Sequence, residues 1–213
     1  MIVLVQGDSR SQFLDLVDQM HVLRARVFGG RLGWEVEVVD GRERDRFDDL
    51  EPLYVIAVDT EGRVVGSLRA LQTTGPNMLT DVFGCLMAEG EAVRSPLIWE
   101  STRFCVDTER AARGGINALS YVTGELLCGL FEAALAAGLS HVVSVFDVRM
   151  ERILNRAGCL SERLGPPQMI GNVRTMAGLF EVSEAMVARL HAVNGIPYPT
   201  LSYGDRQHVA LAA

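Results

Sequence analysis

Leu53-Tyr-Val-Ile-Ala-Val-Asp59, then Thr60-Glu-Gly-Arg63, then Val64-Val-Gly-Ser-Leu-Arg-Ala-Leu71 is the stretch from which the fold follows. Two apolar runs of strand length, joined by four turn-forming residues with a glycine among them, read as an antiparallel hairpin. Further along, the pattern changes to strand–helix alternation. Asn117–Ala137 reads as a long helix closed by Gly138, His141–Phe146 as a buried strand, and Asp147–Ala157 as a helix closed by Gly158. Hairpins early and alternation late predict an α/β protein, a three-layer α/β/α sandwich around a mixed sheet.

The other segments fit around that core. Ile2–Val5 reads as a first strand, directly after Met1 and with no basic region or cleavage site of a signal peptide. Asp8 or Ser9 is the expected N-cap of a helix running to Phe28, with Phe13, Leu16, Val17, Met20, Leu23 and Val27 on one face and Gly29-Gly30 as its stop. Met78–Phe83 reads as a short helix and Ile98–Val106 as a strand. Asn172–Glu181 reads as a last strand and Ser183–His191 as a last helix. Arg31–Glu51 is mostly polar and long for a structureless connection, which marks it as a candidate functional segment. Inside the long helix, Gly124 and Gly129 cost about 1 kcal/mol each relative to alanine, a cost that close backbone approach would justify.

Composition narrows the chemistry. The chain has 213 residues, enough for one domain over 1–213, and all 20 of its basic residues are arginine. Without lysine there is no Schiff base, no pyridoxal aldimine and no P-loop lysine. The formal net charge of −7 speaks against nonspecific nucleic-acid binding. No apolar run is long enough to span a membrane. Cys85, Cys105, Cys128 and Cys159 are scattered, with His21, His141, His191 and His208 far from them. That excludes an evident zinc motif and points to reduced thiols in the cytoplasm.

Three polar clusters stand out. The first runs Met20-His-x-Leu-Arg24-Ala-x-Val-Phe28, then Arg31-x-Gly-Trp34, then Asp40-Gly-x-Glu43-x-Asp45-x-Phe47-Asp48. Trp34 either caps a core edge or stacks on a flat or cationic ligand. Asp45 and Asp48, interleaved with Arg42, Arg44 and Arg46, read on spacing as a solvated, self-paired charge run. The second cluster is Trp99-Glu100-Ser101-Thr102-Arg103-Phe104. Strand alternation puts Glu100 and Thr102 on one side and Ser101 and Arg103 on the other. With Arg69 in the neighbouring strand, these are either one structural ion-pair network or a site with a carboxylate base. The third is Arg149, Arg152 and Arg156, which share a helix face. It is either salt-bridged to Asp147, Glu151 and Glu162 or a dock for an anionic partner.

Taken together, with Gly66-Ser-Leu-Arg69-x-Leu-x-Thr-Thr-Gly-Pro-x-Met-Leu-x-Asp-Val-Phe83 joining the second cluster to the hairpin, these motifs resemble the acyl-homoserine-lactone synthases, the LuxI-type autoinducer synthases of quorum sensing. The resemblance runs from Met1 to about Ala177 and weakens beyond. It implies a sandwich like that of the GNAT N-acyltransferases. It also implies hallmark positions at Arg24, Phe28, Trp34, Asp45, Asp48, Arg69, Phe83, Glu100 and Arg103.

The implied reaction transfers an acyl group from a carrier-protein or CoA thioester to the amine of S-adenosylmethionine. Lactone closure then releases methylthioadenosine. S-adenosylmethionine is consumed, and no cofactor or metal is expected. Glu100 is the candidate base, acting directly or through a water, with Arg69 and Arg103 orienting it and the substrate carboxylate. Asp45 and Asp48 are expected to face the ammonium or sulfonium, and Phe28 and Trp34 to pack on the same substrate. The resemblance places the acyl chain near Phe104, Ser144, Phe146 and Met150, where ordinary core packing is the alternative. It places acyl carrier protein against Arg152 and Arg156. A plain acetyltransferase would carry a pyrophosphate loop where this chain reads Arg110-Ala-Ala-Arg113-Gly-Gly115, with arginine in place of the first glycine. A noncatalytic acyl- or nucleotide-binding module is the other alternative.

Overall fold

A computed structural model describes residues 1–88, 93–113, 118–197 and 199–201, with the side chains of 8 and 111–119 outside that description. In chain order the elements are β1 (Ile2–Val5), α1 (Leu14–Arg24), a π-helix (Ala25–Arg31), β2 (Val38–Val39) and β3 (Arg42–Glu43). Next come β4 (Leu53–Val58), β5 (Val64–Gln72), α2 (Met78–Asp81), β6 (Ile98–Val106), α3 (Thr108–Arg113) and α4 (Ala118–Ala136). The last are β7 (His141–Asp147), α5 (Val148–Arg156), β8 (Glu162–Arg163), β9 (Gln168–Ile170), β10 (Val173–Glu181) and α6 (Glu184–Asn194).

The main sheet has the order β1-β4-β5-β6-β7-β10-β8, with β9 on β10. Every pairing is antiparallel except β6 with β7. This is the expected mixed sheet, and both of its faces are covered. Along β4, Leu53, Val55 and Ala57 pack toward α4 and α6. Tyr54, Ile56 and Val58 pack toward Val17, Met20 and Leu23 of α1 and Val27 and Phe28 of the π-helix. That is why all six β4 residues are buried. Each of the leucine, valine and isoleucine side chains among them contributes roughly 1.5–3 kcal/mol through burial.

Gly124 and Gly129 do mark close approaches. A Cβ at Gly124 would lie 2.7 Å from Asn194 Cβ, and one at Gly129 would lie 2.9 Å from Ile2 Cγ2. The N-terminal helix differs from expectation at both ends. A 3-10 turn over Gly7–Gln12 precedes it, α1 starts only at Leu14, and Gly29-Gly30 do not stop it. The chain instead passes through them in the π-helix, where Leu32 N–H donates to Val27 O at 2.9 Å. Among the described residues no helix is long and apolar enough to cross a membrane.

Two features of β6 position the site. Its register with β5 passes from Arg69↔Thr102 to Ser67↔Cys105, so Leu68 faces two residues and a bulge falls at Arg103, whose φ is +53°. Its pairing with β7 runs only from Ile98↔His141 to Ser101↔Ser144. Beyond that rung β6 stays with β5 and β7 stays with β10, so the sheet splits.

Candidate active site

Asp40-Gly41 forms the two-residue turn between β2 and β3, both residues at positive φ, as a tight hairpin of this kind demands. The turn returns residues 42–49 across α1. Asp45 then caps a 3-10 turn over Arg46–Asp49: Phe47 N–H donates to Asp45 Oδ1 at 2.9 Å, and Asp45 N–H to Asp48 Oδ2 at 2.9 Å. The charge run is therefore sorted by face and is not solvated throughout. Arg42, Arg44 and Arg46 point outward to Asp18, Asp49 and Asp81. Glu43, Asp45 and Asp48 turn inward onto arginines from distant elements.

Those arginines are Arg24, Arg69 and Arg103. Arg24 Nε donates to Glu43 Oε2 at 2.5 Å, and its two Nη atoms grip Asp48 at 2.8 and 2.9 Å. Arg69 grips Asp45 at 2.5 and 3.0 Å and donates from Nε to Thr102 Oγ1 at 3.1 Å. Arg103 reaches Glu43 at 3.0 Å and Asp45 at 2.7 Å. Tyr54 Oη adds a bond to Asp48 Oδ1 at 2.8 Å. Burial alone would raise the Asp48 carboxyl, but the Arg24 bonds and the charges of Arg24 and Arg69 hold it far below the usual carboxylate range. Asp45 is likewise lowered, with Arg69 and Arg103 outweighing burial.

Three cations and three anions in this network cancel. Glu100 stands outside the balance. It is fully buried, and among the described residues no arginine forms an ion pair with it. Its oxygens accept instead from the backbone N–H groups of Met78 at 2.8 Å and Leu79 at 2.5 Å. Burial pushes its carboxyl up to about 6 against the pull of those two amides and of the Arg69 charge. The expectation that Arg69 and Arg103 orient Glu100 by direct contact is thus corrected: the guanidiniums bind Glu43, Asp45 and Asp48, Arg69 reaches Glu100 only through its charge, and the N–H groups of α2 hold Glu100.

Arg103 also departs from simple alternation. The bulge inserts a residue, and the left-handed backbone turns Arg103 onto the face of Arg69 and Thr102, where Met78 Sδ lies 3.3 Å from Arg69 and 3.6 Å from Arg103. Such a backbone costs about 1 kcal/mol or more in a non-glycine residue. The ion pairs to Glu43 and Asp45 hold it there.

An aromatic stack closes this face. Phe28 and Trp34 lie nearly parallel, 15° apart with centroids at 5.1 Å, and the Arg103 guanidinium lies over the Phe28 ring at 5.5 Å from its centroid. Phe28 is buried, while Trp34 is 46% exposed. Phe83 is half-buried against the cluster of Phe47, Leu71 and Met78.

The remaining expected residues lie on the opposite face of the sheet, or beyond it. Phe104, Phe146 and Met150 pack with the α4-side core. Ser144 sits at the last rung before the split, its hydroxyl donating to Ser101 O at 2.7 Å. On α5, Arg149, Arg152 and Arg156 are exposed and make no ion pair among the described residues. The salt-bridged alternative fails because Glu151 binds Arg163 and Asp147 caps α5 through the N–H groups of Arg149 and Met150.

The model of the autoinducer synthase family matches residues 9–190. The chain belongs to that family. An acyl-homoserine-lactone synthase of Agrobacterium fabrum is 40% identical over 184 residues, covering 86% of this chain and 87% of its own. One from Pseudomonas aeruginosa is 38% identical over 184 residues, covering 85% and 90%. Among solved structures, the CoA-dependent acyl-homoserine lactone synthase BjaI superposes with a TM-score of 0.83 at 28% identity, covering 99% of each chain. An N-acetyltransferase structure from Lactobacillus plantarum aligns with a TM-score of 0.57 at 14% identity, which supports the GNAT-like fold and nothing more. The protein is an acyltransferase of the acyl-homoserine-lactone synthase type.

In this synthase the structure adds residues that the motif reading did not assign to the site. Glu43 is fully buried and joins Arg24 to Arg103. Its signal was in the sequence, since Glu43, Asp45 and Asp48 all carry acid within one short motif. His21 lies behind it, with Nδ1 donating to Glu43 O at 2.8 Å. Burial, then the Arg24 charge, lower the His21 pKa, so the ring stays neutral at physiological pH. In the stretch Arg110–Gly115, where an acetyltransferase would carry its pyrophosphate loop, Gly114 and Gly115 lie outside the described residues.

Proposed function

We propose that S-adenosylmethionine binds on the Arg-carboxylate face beneath Trp34, and that an acyl thioester reaches it through the split between β6 and β7. The observation that carries this reading is Glu100. It is a buried carboxylate with a raised pKa and, among the described residues, no ion pair to an arginine, three residues before Arg103 of the bulge and one rung from the end of the β6–β7 pairing. S-adenosylmethionine carries a sulfonium, an ammonium and a carboxylate, a net single positive charge that complements ionised Glu100 next to a neutral network. Glu100 takes a proton from the ammonium. The freed amine attacks the thioester carbonyl, the new C–N bond forms and the C–S bond breaks. The thiolate leaves and is protonated. A carboxylate oxygen of the methionine part then displaces neutral methylthioadenosine from its own γ-carbon, closing the lactone. Holding that chain folded supplies rate by proximity.

The acidic pair divides its roles in this reading. Asp48 is enclosed and committed to Arg24, so its part is to fix the network. Asp45, 20% exposed at its side chain, is the acid that faces substrate. Trp34 offers its open ring face to the adenosyl or sulfonium part, whereas Phe28 supports Trp34 from beneath. The Ser144 hydrogen is committed to Ser101 O, which favours acyl groups without a C3 oxo group.

BjaI is described with S-adenosylmethionine and isopentyl-CoA, and the exposed arginine stripe on α5 suits an anionic donor, either CoA or an acyl carrier protein. We place the reaction in the cytoplasm, where Cys85, Cys105, Cys128 and Cys159, all free, would stay reduced. The test is incubation with S-adenosylmethionine and a panel of CoA and carrier-protein thioesters, read by mass spectrometry. Methylthioadenosine and an acyl lactone are expected with at least one donor. Absence of both with every donor would overturn the reading.

A further inference from the structure

We propose that Gly178 is a specificity-determining residue for acyl-chain length, because it gives the Phe146 ring a resting place away from the acyl path. The inference builds on the acyl-transfer reading above. On the α4 side of the sheet, Ser144 and Phe146 of β7 share a face with Met176, Gly178 and Phe180 of β10, since Gly178 pairs with Ser144 and Met176 with Phe146. The Phe146 ring lies across β10. A Cβ at Gly178 would stand 2.7 Å from Phe146 Cζ and 2.9 Å from Cε1, closer than carbon atoms approach without bonding.

Because β10 flanks β7 on the side away from β6, the ring is turned from the split and not into it. Phe180 meets it at 5.8 Å and 52°, and Phe131 of α4 meets Phe180 edge-on at 6.3 Å. Both neighbours are buried, so the ring cannot slide further along β10. Ser161 Oγ, 2.8 Å from the same Cβ position, closes the outer side. The direction left to a displaced Phe146 ring is back over Ser144, toward Phe104 and the split. Any side chain at 178 thus moves an aromatic ring into the space an acyl tail would occupy. The bulk of Phe146 is harmless to long chains only while residue 178 is glycine.

The experiment measures kcat/KM for butanoyl, hexanoyl, octanoyl and decanoyl thioesters in the wild type, Gly178→Ala, Phe146→Leu and the double variant. Gly178→Ala should lower the decanoyl-to-butanoyl ratio by about tenfold or more, the range over which a pocket discriminates methylenes. KM for S-adenosylmethionine should not change. Adding Phe146→Leu should restore the ratio, since the displaced ring is gone. A uniform loss across donors, an unchanged ratio, or a double variant still biased to short chains would overturn the proposal. If Gly178→Ala alone does not fold, Phe146→Leu is compared with the double variant. Equal profiles are expected, and unequal ones refute the role of the ring. Wild-type methylthioadenosine release is the separate control: its absence with every donor strikes the acyl-transfer reading, whereas a wrong profile with turnover intact strikes only the assignment of Gly178.

Discussion

Acidification isolates Glu100. With its carboxyl at about 6, the base form falls from about 0.9 of the population at pH 7 to about 0.09 at pH 5 by simple titration. We therefore expect kcat/KM for S-adenosylmethionine, which reports the free enzyme, to drop about tenfold over that interval. A glutamate with the ordinary pKa would lose only about a fifth. The acid limb of kcat should lie at lower pH, because the bound ammonium and sulfonium favour the carboxylate. Unfolding does not mimic this limb. Asp45 and Asp48 have lowered folded-state pKa values, so the stability they contribute is present above their ordinary value and is lost only as pH falls below about 4. Glu100 has the opposite sign: its raised folded-state pKa means that protonation near pH 6 stabilises the fold. The assay is methylthioadenosine release from pH 5 to 8, with circular dichroism recorded at each pH. Activity that stays level to pH 5 in folded protein, or near-normal turnover by Glu100→Gln, would refute the assignment.

Three further outcomes follow from the same geometry. Asp48→Asn leaves Arg24 buried with half its charge partners, and should destabilise the fold by about 3–5 kcal/mol in chemical denaturation; a loss under about 1 kcal/mol would show that the pair is not enclosed. Trp34→Ala should raise KM for S-adenosylmethionine by about tenfold through lost stacking, with little change in melting temperature because the ring is half-exposed. An unchanged KM would remove Trp34 from the substrate site. Reversing Arg152 and Arg156 to glutamate should raise KM for a carrier-bound donor by about tenfold or more while stability stays within about 0.5 kcal/mol; equal KM values would show that α5 does not receive the carrier.

The sequence by itself determined the longer elements and the sandwich, but not the short strands β2, β3, β8 and β9 or the helix α3. The hairpin of Leu53–Leu71, the strand Ile98–Val106 and the late strand–helix alternation depend on periodicity and turn chemistry, which are local properties of the chain. It also brought Arg24, Asp45, Asp48, Arg69, Glu100 and Arg103 into one motif set. Pairing was not legible. From spacing, Asp45 and Asp48 belonged with Arg42, Arg44 and Arg46, whereas their partners are Arg24, Arg69 and Arg103, brought in from other elements by the sheet. The face of Arg103 was misjudged for a related reason: alternation assumes an unbroken ladder, and the bulge opposite Leu68 reverses it. The π-helix through Gly29-Gly30 was hidden because glycine permits several backbone states and only packing selects among them. The split after Ser101↔Ser144 belongs to no single strand. It arises where β6 follows β5 and β7 follows β10, and so it exists only once the whole sheet is formed.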